Sequence, residues 1–124
     1  MTGTALPSSL PGLEVGQALA RMGGHADLLL RLLGEFRARN ADEVEQIRAA
    51  LAGERETARR LAHSLKGTAA VLGANDLAEA ARSLEYAIRD GLGGEELERV
   101  FEETTRALRV VLQSIEQVLP PAAP

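Results

Sequence analysis

A chain of 124 residues with a formal net charge of -4 is long enough for one hydrophobic core and too short for two. It has no cysteine, which excludes disulfides, thiolate metal sites and a cysteine nucleophile. Its negative charge, with Phe36, Tyr86 and Phe101 as the only aromatic rings, gives no footing for nucleic acid.

Ala and Leu dominate the apolar residues, and with Arg and Glu they lose little rotamer freedom in a helix. An all-α chain is expected. No apolar run approaches the roughly 20 residues that span a bilayer, and the N-terminus lacks a basic, apolar, small-residue leader. The expected setting is the cytoplasm, either as a free protein or as a domain of a membrane-anchored kinase, with no membrane contact by this segment.

Residues 1–12 carry Pro7, Pro11, two Gly and four Ser or Thr, and read as a flexible linker. The domain is expected over 13–119, and 120–124, with Pro120, Pro121 and Pro124, as a flexible tail. Apolar spacing is helical throughout the middle. A short helix covers about 14–22 and stops at Gly23-Gly24. A long one runs from Ala26 to about Leu51, buried through Leu29, Leu33, Phe36, Val44 and Ile47, with a possible break at Asn40. The next runs from Arg55 to Leu72, with Gly73 as its stop. Asn75 is placed to cap a helix reaching Asp90, buried through Leu77, Ala81, Leu84 and Ile88. After Gly91, Gly93 and Gly94, the last helix covers about 95–118. Long amphipathic helices joined by short turns predict an antiparallel up-down four-helix bundle, with the short extra N-terminal helix across one end.

On a wheel of about 100° per residue, Ala58, Leu61, Leu65, Ala69 and Leu72 share one sector, the core stripe of the 55–72 helix. His63 falls well outside it, on the outward face with Arg59, Lys66, Gly67 and Ala70. Arg59, Arg60 and Lys66 stand one turn away on either side. Lys66 is the only lysine, the other cationic side chains all being arginine. Gly67 occupies a helix interior, where glycine costs about 1 kcal/mol relative to Ala, so its value there is the room it leaves beside His63. An exposed imidazole is a good nucleophile near neutral pH, and a nearby ammonium is a mobile charge for phosphoryl oxygens.

Other residues read as plain structure. His25 marks a helix start, and Glu35, Glu43, Glu45 and Glu79 read as solvated. Neither histidine has a Glu three residues before it, so no di-metal bundle site is supported. Ser64 diverges from His63 by about 100° around the helix and has no third partner for hydrolysis.

The string Ala62-His63-Ser64-Leu65-Lys66-Gly67, followed by Gly73 and Leu84-Glu85, resembles the signature of histidine-containing phosphotransfer (HPt) domains over about residues 13–118. The resemblance implies a phosphorelay carrier with no ATP site or kinase activity of its own. His63 is then the phosphoacceptor at Nε2, Lys66 stabilises the phosphoryl group, and Gly67 gives access. Arg59, Gly67 and Ala70 are expected to touch the partner, a receiver domain of a response regulator or hybrid sensor kinase. Glu85 matches a position that in relatives often faces the histidine. No cofactor of its own is implied, Mg²⁺ being supplied by the receiver, and a monomer is expected. Two rival readings stand beside this one: the histidine-bearing input domain of a chemotaxis-type kinase, and a receiver-docking module that carries no phosphate.

Overall fold

The structure, a computed structural model, describes residues 6–120. Six helices follow one another: α1 (Val15–Arg21), α2 (Ala26–Asn40), α3 (Glu43–Gly53), α4 (Arg55–Val71), α5 (Asn75–Arg89) and α6 (Gly94–Val118). Among the described residues there is no strand, only a bridge closing the Leu10–Leu13 turn. The fold is all-helical, as the composition predicts.

One face of each helix turns toward a shared core. Phe36 from α2, Ile47 from α3, Leu65 from α4, Leu77, Leu84 and Ile88 from α5, and Phe101 and Ile115 from α6 are all buried in it. Each of the two phenylalanines contributes roughly 1.5–3 kcal/mol by leaving water. The most extensive packing joins α4 to α5; α3 lies against α4, α6 against α5, and α2 meets α6. Polar ties reinforce this order. Thr104 Oγ1, buried on α6, donates to the Val100 carbonyl at 2.8 Å and lies 3.3 Å from that of Ala80 on α5. Arg48 of α3 pairs with Glu98 of α6 at 2.8 Å and lies over the Phe101 ring.

Local expectations differ from what is found at several points. The expected 26–51 helix does break at the place marked by Asn40, and is two helices parted at Ala41-Asp42. Asn40 and Asp42 are poor helix formers whose side chains bond locally: Asn40 donates to Glu43 and Asp42 accepts from Gln46. Glu43, expected to be solvated, is 7% exposed at that joint.

Asn75 is not a cap. Ala74 holds that position, fully buried, and Asn75 is the first helical residue, donating to Gln17 on α1. The tight Gly73 turn carries the cap position into the core, where an apolar residue is better suited than Asn. On α4, Ala62 is fully buried and Leu61 only half so; the stripe is rotated toward the close contact with α5.

Residues 6–12, expected to be linker, carry contacts instead. Leu6 and Leu10 pack on the core, Gly16 N–H donates to the Ser8 carbonyl, and the buried Ser114 hydroxyl donates to that of Pro11. The rest of the expected linker, 1–5, and the tail from 121 lie outside the described residues.

Candidate functional site

α4 presents its site because its two ends are fixed. At its start the Arg55 guanidinium reaches across to two carbonyls, at 2.7 and 2.9 Å: that of Ile88 near the end of α5, which also accepts from Gly91 N–H, and that of Leu92 in the turn that follows. At its other end Gly73 takes φ +77°. Ala74 N–H then bonds to the Ala69 carbonyl and Gly73 N–H to that of Ala70, the paired closure that a left-handed glycine allows. Between these ends the buried residues are Ala58, Ala62, Leu65 and Ala69. Their short side chains let α4 approach α5 closely, since interaxial distance follows the size of the contact residues.

That approach brings Glu85 of α5 under His63. The Glu85 side chain is 7% exposed, and its Oε2 lies 3.0 Å from His63 Nδ1. A carboxylate can only accept, so Nδ1 carries the proton in this pair, a tautomer assigned from the partner. His63 Nε2 then keeps its lone pair, on a side chain 59% exposed. Two permanent cations share the same carboxylate. Arg59 Nη1 is 3.2 Å from Oε2 and Lys66 Nζ is 3.3 Å from Oε1. The Lys66 contact is an ion pair without hydrogen-bond alignment, which leaves the buried Oε1 otherwise unbonded. Arg59 is in turn gripped by Glu56, with Nε and Nη2 donating to its two oxygens at 3.0 and 2.7 Å.

Burial acts most strongly on the Glu85 carboxyl and pushes its pKa up. The hydrogen bond from His63 and the nearness of Lys66 together outweigh that and hold it below the ordinary carboxylate value. Glu85 is therefore an anion at neutral pH, buried but paired, as a buried charge must be. Among the described residues no group of three or more His, Asp or Glu is placed to hold a metal ion.

Of the residues singled out from sequence, His63, Lys66 and Arg59 meet around Glu85. Gly67 is exposed further along α4, and a Cβ there would meet nothing within 4 Å. Ala70 is half-buried, its carbonyl taken by the Arg21 guanidinium of α1. Arg59 does not simply face outward; its side chain is 28% exposed and crosses toward α5. Glu85 carried a readable signal, an acidic residue about 40° beyond Ala81 at the edge of an otherwise apolar stripe. Past Gly67, Thr68 and the half-exposed Val71 join Leu32 and Phe36 of α2 in lining an open groove of about 280 Å³.

The Hpt domain family model matches residues 31–119, a span that includes α4 and α5 entire. The HPt domain of an Hpt sensor hybrid histidine kinase from Shewanella has a similar fold. It is 24% identical, covers 90% of this chain and 96% of its own, and superposes with a TM-score of 0.76. Comparison with curated proteins gives no match. No helix of the described residues is long and apolar enough to cross a membrane. With the family model matching well over half its length, this chain belongs to the Hpt domain family, the histidine phosphotransfer modules of two-component phosphorelays.

Proposed function

We propose that His63 is the phosphoacceptor, taking the phosphoryl group at Nε2 from a receiver-domain aspartyl phosphate and passing it to another receiver's aspartate. The observation that carries this is the Nδ1–Glu85 bond: it fixes the ring by its inner nitrogen and leaves the outer one as the nucleophile. In the transfer the Nε2–P bond forms as the P–O bond to the aspartate breaks, and the aspartate leaves as a carboxylate. The ring keeps its Nδ1 proton, whose bond to Glu85 holds it in place through the transfer, and the positive charge it gains is balanced by the phosphoryl oxygens it then carries. Lys66, one turn away, supplies positive charge to the phosphoryl oxygens in flight.

The receiver docks over His63 and Gly67, extending toward Val71 and the α2 side of the groove. Mg²⁺ is the receiver's contribution, and the chain acts as a monomeric carrier with no ATP site of its own. The short turns between helices and the succession of contacts from α3 to α4, α5, α6 and back to α2 support an antiparallel four-helix bundle, with residues 6–12 packed on it as part of the same domain. Exposing the native chain and His63→Gln to a phosphorylated receiver tests the reading. The native chain should take up an acid-labile, base-stable label and the variant none, with unchanged helical content; uptake by the variant would rule out His63.

A further inference from the structure

Arg59 stands one turn before His63 on α4 and meets it only through Glu85. The two share one oxygen of that carboxylate, Oε2, with Nη1 of Arg59 at 3.2 Å and Nδ1 of His63 at 3.0 Å. Arg59 is not left to wander: its Nε and Nη2 donate to the two oxygens of Glu56, so the guanidinium bridges a surface carboxylate and a buried one. This arrangement differs from a docking residue, whose fork would be free for the partner.

We propose that Arg59 is a positioning residue for His63, cancelling the charge of Glu85 so that the carboxylate orients the ring without drawing a second proton onto Nε2. The inference rests on His63 being the phosphoacceptor. The physical need is plain. A bare buried carboxylate 3.0 Å from an imidazole favours the imidazolium, which has no lone pair to attack with. A guanidinium on the shared oxygen works against that twice, by neutralising the carboxylate and by repelling a ring cation. Orientation survives, because the Nδ1–H bond needs an acceptor and not a net charge.

The charged groups acting on the pair come from both helices: Arg59, Lys66 and, through Arg59, Glu56 on α4, and Arg89 beside Glu85 on α5. The Arg48 guanidinium of α3 is turned away to Glu98 on α6. Lys66 helps to neutralise the other oxygen, but it is the side chain the phosphoryl group recruits. Arg59 is the cation that stays.

The full chain with Arg59→Gln and with Arg59→Lys, titrated by ¹⁵N imidazole resonances and assayed for phosphoryl uptake across pH, tests this. Arg59→Gln should move the His63 titration to higher pH and slow uptake at pH 6.5 by about threefold, the size expected for loss of one nearby, partly screened charge. The deficit should narrow at pH 8.5. Arg59→Lys, which keeps the charge, should titrate close to the native chain. A His63 titration unmoved in the Gln variant, or moved as far by Lys as by Gln, overturns the proposal. So does a fall in receiver affinity with the titration unchanged, which would make Arg59 a docking residue. The titration needs no receiver, so failure of the native chain to accept phosphate sinks the proposed function separately.

Discussion

Glu85 is the residue on which the site turns, since His63, Arg59 and Lys66 all meet its carboxylate. Its pKa is lower in the folded chain than its ordinary value of 4.5. The stability it lends is therefore present above about pH 4.5 and lost as the pH falls through the folded value, where the native carboxylate finally protonates. Glu85→Gln should lower stability at pH 7 by about 1–2 kcal/mol, the scale of a charge-assisted buried bond. The two melting curves should converge as the pH falls from 4.5 through the lower folded value; a constant gap would mean that the shape of Glu85 matters and its charge does not. His63 and Lys66 were legible in the sequence because three-residue spacing on one helix fixes their relation. The turn of Arg59 inward was not, because it depends on a carboxylate 26 residues away and on how closely two helices approach.

Among the elements, α4 shows how two glycines can serve opposite ends. Gly67 has helical geometry and open space, whereas Gly73 has φ +77° and a Cβ there would stand 2.5 Å from the Glu14 carbonyl oxygen. Gly67→Ala should stabilise the chain by up to about 1 kcal/mol. Gly73→Ala should destabilise it by about 2 kcal/mol or more, combining left-handed strain with a backbone clash. Denaturant midpoints of the two variants check both signs, and shifts in the same direction would contradict the structure. The stop at Gly73 was readable because glycine at a helix end has one dominant use. The cap at Asn75 was misleading for a related reason: side-chain preference describes a solvated helix start, and this start is buried at Ala74. The break after Asn40 was half visible, as two poor helix formers inside an otherwise continuous stripe.

At the scale of the whole molecule, the exposed residues His63, Gly67 and Val71 lie along one side of α4 beside the groove that Leu32 and Phe36 of α2 help line, and this is the docking face we propose. Gly67→Gln should leave the melting temperature nearly unchanged and weaken receiver binding about tenfold, a change of about 1.4 kcal/mol; equal affinity would move the docking face elsewhere. Composition and periodicity revealed the helical class, but not that residues 6–12 belong to the folded body, because their Pro, Gly and Ser content matches that of a loose tether. Their bonds have a mechanical consequence. A pull applied near residue 6 is carried first by the Gly16–Ser8 and Ser114–Pro11 bonds, then by the Glu14–Gly73 bond of 2.8 Å. It reaches α4 only through Gly73, just past the helix end, which lies about 12 Å along the helix from His63. The first segment of the chain thus works as a strain relief, keeping tension on the polypeptide away from the imidazole.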